Sequence, residues 1–144
     1  MDERIIEFID SHHVLTLATT TGTFPYCANC FYVYLPDENT FVFASDTATI
    51  HGSSMLQNPQ VAASIVLETK TVGKIQGLQL CGTATIAQES VFGKAHRAYL
   101  KAFPFAVVKQ AELWLLKIEY CKLTDNRLGF GKKIIWGELP QTKN

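Results

Sequence analysis

Apolar positions change their spacing several times along the 144-residue chain, and each change marks an element. Behind Asp2, Ile5, Phe8, Ile9 and His12 recur every three or four residues, which predicts a capped amphipathic helix ending near His13. Val14 to Thr20 is a β-branched run, Thr21-Gly22-Thr23 a turn and Tyr26 to Leu35 a long strand, so this region reads as a hairpin. Pro36-Asp37-Glu38-Asn39 supplies the next turn and Thr40 to Ser45 a third strand. Asp46 to Gln57 reads as a short helix, closed by Asn58-Pro59 because the residue before a proline is pushed out of the helical region. Val61 to Thr69 is predicted as a fourth strand.

Beyond a turn at Val72-Gly73-Lys74, Leu78, Leu80, Gly82, Ala84 and Ile86 alternate with Gln79, Cys81, Thr83 and Thr85. Such alternation makes a fifth strand with one core face and one partly polar face. Phe92, Ala95, Tyr99, Ala102 and Phe103 repeat at helical spacing within Glu89 to Phe103, which predicts a core-facing helix stopped by Pro104. Leu113 to Leu123 is a sixth strand with Trp114, Leu116, Ile118 and Tyr120 on one face, followed by a terminal loop. Short connections favour antiparallel hairpins closing into a barrel over a parallel sheet, which needs a crossover at each step. Neither Gly-x-Gly-x-x-Gly nor Gly-x-x-x-x-Gly-Lys-Ser/Thr occurs, which argues against a dinucleotide fold or a P-loop. The length suits one domain spanning 1–144.

Thirteen Lys and Arg balance thirteen Asp and Glu, so no global basic field drives binding to nucleic acid. Near-zero net charge with 47% hydrophobic residues offers little electrostatic opposition to a homodimer. The charged opening Met1-Asp2-Glu3-Arg4 has neither signal-peptide nor membrane-spanning character, and a cytoplasmic location with no membrane partner is expected. Cys27, Cys30, Cys81 and Cys121 then read as reduced, buried thiols. Cys27 and Cys30 form a Cys-x-x-Cys, yet no second pair completes a zinc site and the motif lies in a strand, so no metal is assigned.

Three segments carry chemistry suited to an anion beside an aromatic ring. In Gly129-Phe130-Gly131-Lys132-Lys133-Ile134-Ile135-Trp136, glycines admit close backbone approach, Lys132 and Lys133 supply ammonium donors and Trp136 a flat apolar face. The plain alternative is a glycine loop with solvated lysines before a core-packed strand. Ser45-Asp46-Thr47-Ala48-Thr49-Ile50-His51 runs from a strand into a helix, placing hydroxyls and free N–H groups at the positive helix end, where ordinary capping is the alternative. Gln79 stands on the polar face of the fifth strand and can hydrogen-bond a heterocycle.

These segments, together with Asn58-Pro59-Gln60-Val61, Gln76-Gly77-Leu78-Gln79-Leu80-Cys81-Gly82, Ala102-Phe103-Pro104 and Thr124-Asp125-Asn126-x-Leu128-Gly129-Phe130-Gly131-Lys132-Lys133, resemble the small uncharacterised YhbP-like family. That family belongs with the pyridoxamine 5′-phosphate oxidase-like split barrels that bind flavin mononucleotide (FMN). The resemblance implies a mainly β fold with flanking helices: a six-stranded antiparallel split β-barrel of the FMN-binding type. It further implies a homodimer with FMN at each end of the interface. Ser45, Thr47, Thr49 and His51 would hold the phosphate; Asn29, Phe31 and Gln79 would lie near the ring; Lys132, Lys133 and Trp136 would close the pocket, from this chain or its partner. Many members carry Lys or Arg where this chain has His51, and YhbP-like chains often have Arg where it has Ile50.

The resulting expectation is an FMN-dependent oxidoreductase or flavin reductase, moving a hydride between a nicotinamide donor or small-molecule substrate and the flavin. Tyr32 and His51 are acid or base candidates by residue type alone. The alternative is a non-catalytic flavin- or haem-binding module, with His51 or His96 as a ligand in the haem case, or a split-barrel dimer that has lost its cofactor.

Overall fold

Asp2 starts the first helix as its position demands, its carboxylate accepting the Arg4 N–H at 3.0 Å. The computed structural model describes residues 1–105 and 111–140. The elements are α1 (Glu3–Asp10), β1 (Val14–Thr20), β2 (Pro25–Leu35), β3 (Thr40–Ser45), α2 (Ile50–Gln57), β4 (Gln60–Val66), β5 (Gln76–Ile86), α3 (Glu89–Ala102), β6 (Glu112–Asp125) and β7 (Lys133–Gly137). Strand order is β3-β2-β1-β4-β5-β6-β7, and an added β3–β6 pairing closes the first six strands into an antiparallel barrel. The expected six-stranded barrel is present, with one further strand and three α-helices among the described residues.

Alternate residues of each strand fill the barrel: Leu15 and Leu17, Phe41 and Phe43, Ile65, Leu78 and Leu80, Trp114 and Leu116 are buried. α1 packs Ile5, Phe8 and Ile9 onto this core, and the Tyr32 hydroxyl donates to the Ile9 carbonyl at 2.7 Å. α3 covers the outside of β2, β3 and β6 through Ala95 and Tyr99, against Val42 and Leu113. Phe92 departs from the expected core placement: it is 42% exposed and stacked on His96. α3 lies on the barrel's outer wall, so its buried stripe is narrow.

The seventh strand and the outward turn of Tyr120 share one cause. Across from β5, Tyr120 pairs with Cys81 but Ile118 pairs with Gly82, so Glu119 is an extra residue, a β-bulge. The bulge reverses the facing pattern: Trp114, Leu116 and Ile118 point inward, then Cys121 and Leu123 do, leaving Tyr120 half-buried outside. It also marks where one edge of β6 changes partner, from β3 along Glu112–Lys117 to β7 along Tyr120–Thr124. A Cβ on Gly82 would overlap the Lys117 carbonyl, and one on Gly137, at φ 78°, would overlap that of Glu119. Glycine is therefore required on both sides of the bulge.

Other boundaries move modestly. α1 stops at Asp10 and α2 begins at Ile50, because Asp46–Thr49 forms a turn. β4 ends at Val66, before Leu67 donates its N–H to the Gln76 carbonyl. Cys30 and Cys121 are buried as expected, but Cys27 is exposed, because residues three apart on β2 face opposite sides.

Candidate functional site

Trp114 fixes the exit of β3: its indole N–H donates to the Ser45 carbonyl at 3.1 Å inside the core. The chain then turns tightly. Asp46 Oδ1 accepts the Ala48 N–H at 2.8 Å, and the Asp46 carbonyl accepts both the Thr49 N–H at 3.1 Å and its hydroxyl at 2.7 Å. Thr49 caps α2 by accepting the Gly52 N–H at 3.0 Å. A Cβ on Gly52 would run into the Asp46 carbonyl and crowd the Thr49 hydroxyl, so glycine lets the turn lie directly on the helix.

This local geometry brings three predicted residues into contact. Ser45 Oγ, on a residue only 6% exposed, lies 2.7 Å from His51 Nε2, and Thr49 Oγ1 lies 3.4 Å from both. Burial lowers the His51 pKa below its ordinary value of 6.5, so the ring is neutral at pH 7. Thr47, half-buried, stands on the same turn, and its hydroxyl has no protein partner among the described residues. The N–H groups of Ile50 and His51, at the positive end of α2, also have no protein acceptor among the described residues.

β2 runs beside this cluster. Its pairing with β3 sets Tyr32 opposite Phe43, and continuing that register brings Cys30 level with Ser45, with Asn29 and Phe31 on either side. Asn29 Oδ1 accepts the Thr16 hydroxyl at 2.9 Å. Phe31 is 54% exposed, stacked on His13 and edge-on to Phe103. Ser45, Thr47, Thr49 and His51 therefore share the β3–α2 turn, with Asn29 and Phe31 on the neighbouring strand β2.

The other four stand elsewhere on the chain. Gln79 is exposed on β5 opposite Lys122, which pairs in turn with Ile135. Trp136 pairs with Cys121 and is half-buried against the core, so much of its ring is already covered. Lys133 pairs with Thr124, whereas Ser45 pairs with Glu112. Those two positions lie twelve residues apart on β6, about 40 Å of strand at ~3.3 Å per residue. Within one chain, Lys132 and Lys133 cannot reach the Ser45–His51 cluster.

Asp125 and Asn126, quoted in the terminal motif without an assigned role, are braces. Asp125 is 2% exposed and pairs with Arg127 at 2.7 Å, while Gln76 Nε2 donates to it at 3.0 Å. The Arg127 guanidinium beside it holds its carboxyl below the usual carboxylate range. Asn126 Nδ2 donates to the Val72 carbonyl at 2.7 Å and its Oδ1 accepts the Gly131 N–H at 2.9 Å. Gly129 at φ 126° and Gly131 at φ 69° complete a rigid turn that presents Phe130, 88% exposed, ahead of the two lysines. The signal in the sequence was an acid ending an apolar strand, with an arginine two residues on. Of the two acid or base candidates, Tyr32 is buried with its hydroxyl donated to α1, and burial pushes its pKa up.

A closed barrel with a polar turn leading into a short helix defines the split-barrel class, and the family model for pyridoxamine 5′-phosphate oxidase matches residues 1–123. The fold is also that of a heme binding protein from Mycobacterium smegmatis (TM-score 0.76, 21% identity, 91% of this chain and 56% of that one). A FAD-binding protein from Mesorhizobium loti shares it (TM-score 0.72, 12% identity, 85% and 93%). At closer range, a UPF0306 protein of Photorhabdus laumondii is 42% identical over 92% of each chain. The chain belongs to the UPF0306 family of pyridoxamine 5′-phosphate oxidase-like split barrels.

Proposed function

We propose that this chain binds FMN at the interface of a homodimer and works as an oxidoreductase or flavin reductase toward a small-molecule substrate or nicotinamide donor. The observation that carries this reading is the β3–α2 turn: hydroxyls of Ser45, Thr47 and Thr49, the His51 ring, and two N–H groups without acceptors, with the exposed Phe31 on the neighbouring strand β2. That donor set fits the phosphate end of a flavin. Its gap is charge. Residues 45–52 contain no Lys or Arg and His51 is neutral, so a phosphate dianion there needs a cation from outside the segment. Lys132 and Lys133 have no ion-pair partner among the described residues, and only a second copy can bring them there.

The barrel also offers a surface for that second copy. Cys27, Ala18, Ala62 and Cys81 form one cross-strand row on the outside of β2, β1, β4 and β5; Asn29, Thr16, Ser64 and Gln79 form the next. None of the eight is charged and none is large, which suits close approach of two sheets. In the dimer, Ser45, Thr49 and the free N–H groups would position the phosphate, and Phe31 would cover one side of the ring. Lys132 and Lys133 of the other copy would neutralise the anion. The flavin itself would supply hydride chemistry.

A non-catalytic module that holds a flavin or a haem is the second reading, favoured by one observation. His51, the one titratable side chain in the turn able to transfer a proton near neutrality, is already engaged by the Ser45 hydroxyl. The fold is shared with proteins that carry heme binding and FAD-binding names.

The test is a titration of the purified protein with FMN, followed by visible absorption. Saturation at one flavin per chain on a dimer supports the reading, and a featureless titration overturns it. Anaerobic NADH or NADPH then separates the two versions, since a bound flavin that stays oxidised with both donors removes the flavin-reductase activity.

A further inference from the structure

A cavity of about 500 Å³ opens where β2 outruns its neighbour. β1 begins at Val14, opposite Phe31, so no strand covers that edge of β2 beyond Tyr32. The end of α1 and the residues after it, Ile9 to His13, stand on one side, and Ala102 and Phe103 from the end of α3 on the other. Tyr32 donates its N–H across this edge to the His13 carbonyl at 3.0 Å. Backbone direction repeats every second residue, so the Tyr34 N–H and C=O aim at the same edge, where they have no backbone partner among the described residues.

Asp10 is the one carboxylate among the residues lining this cavity, which include no Lys or Arg, and it has no ion-pair partner among the described residues. Burial raises its pKa, and burial first, with the Asp10 charge among the further causes, pushes the Tyr34 phenol up to about 12. The carbonyl end of the α1 dipole adds to the negative field. His12 Nδ1 lies 2.7 Å from the Phe8 carbonyl, which only accepts, so Nδ1 carries a proton and that nitrogen is turned back onto α1. Phe103 and the half-buried Tyr34 supply aromatic surface, which also favours a cation.

We propose that this cavity binds a small organic cation, a protonated amine carried on an aromatic or apolar body, with Asp10 as its counter-ion. Binding here requires neither flavin nor a second copy. Tyr34 pairs with Phe41, four residues before Ser45 along β3, so the cavity lies about 13 Å of strand from the Ser45–His51 cluster at ~3.3 Å per residue.

The probe is phenethylamine, with 3-phenylpropionate as the anionic control, followed by amide NMR shifts of the whole chain. Expected are saturable shifts at Asp10–His13 and Val33–Tyr34 with the amine, and at least about tenfold weaker binding of the propionate. Asp10→Asn should weaken the amine by a similar factor. Asp10 is exposed and its side chain makes no hydrogen bond among the described residues, so this variant keeps the fold. Equal binding of amine and propionate, unchanged affinity in Asp10→Asn, shifts confined to other residues, or no saturable shift at millimolar amine would each overturn the proposal.

Discussion

Two differently damaged chains placed in one dimer give the sharpest test of a shared flavin site. One chain carries Ser45→Ala with His51→Ala, which empties the phosphate cradle of two neutral partners. The other carries Lys132→Ala with Lys133→Ala. Two neutral hydrogen bonds are worth about 1–3 kcal/mol together, and each lysine that reaches the phosphate about 1.5–3 kcal/mol. Every 1.4 kcal/mol is tenfold in Kd, so each homodimer of damaged chains binds FMN at least several-fold more weakly than the wild type. The geometry decides what the mixed dimer does. Lys133 sits about 40 Å of strand from Ser45 on its own chain, at ~3.3 Å per residue, so a working site takes its cradle from one chain and its lysines from the other. One of the two mixed sites is then wholly intact and the other carries both lesions. With the mixed dimer isolated through two affinity tags and titrated by flavin absorbance, half the wild-type capacity should appear at wild-type affinity. A mixed dimer with no wild-type-affinity site, from a wild type that does bind FMN, refutes the shared arrangement.

The remaining expectations concern the scaffold and its titrating groups. Gly137→Ala and Gly82→Ala each drive a Cβ into a β6 carbonyl and should cost at least about 2 kcal/mol in urea unfolding, whereas Gly73→Ala, with open space around it, should stay within about 0.5 kcal/mol. His51 has its folded pKa lowered by burial, so the unfolded chain binds that proton more readily and stability falls as pH drops below about 6.5. His51→Gln should flatten that slope between pH 7 and 5.5, read from unfolding midpoints, and an unchanged slope assigns it to other groups. Asp125 has its folded pKa lowered, so its contribution is full above the ordinary carboxylate value and disappears as pH falls through the folded one. Asp125→Asn should lose about 1–3 kcal/mol at pH 7, and the loss should shrink progressively as pH falls below the ordinary carboxylate value, by urea unfolding across that range.

The barrel was legible because antiparallel strands with one buried face write their period of two directly into the chain, and Leu78 to Ile86 is the clearest case. β7 was not, because Lys133–Gly137 is five residues whose pairing depends on an edge of β6 left free by the bulge. The bulge itself leaves no mark: Trp114, Leu116, Ile118 and Tyr120 alternate without a break, and the extra residue is visible only in register against β5. At the site, the Ser45, Thr49 and His51 contacts follow from local turn and capping chemistry, which sequence encodes well. The separation of Gln79, Lys132, Lys133 and Trp136 from that turn comes from strand register, which the order of motifs does not encode. Phe92 shows the same limit, since helical spacing identifies a stripe but not how much of it the neighbouring layer covers.

The change of partner along β6 has a consequence for any shortened form of this chain. With the residues after Asp125 removed, Tyr120–Thr124 would present a row of unpaired backbone groups to solvent, with Ile134 and Trp136 gone from above Cys121 and Leu123. An unprotected strand edge is a template for pairing with other chains. Such a truncation should aggregate edge to edge more readily than the whole chain, whose own edge strand, β7, is five residues long and opens on Lys133.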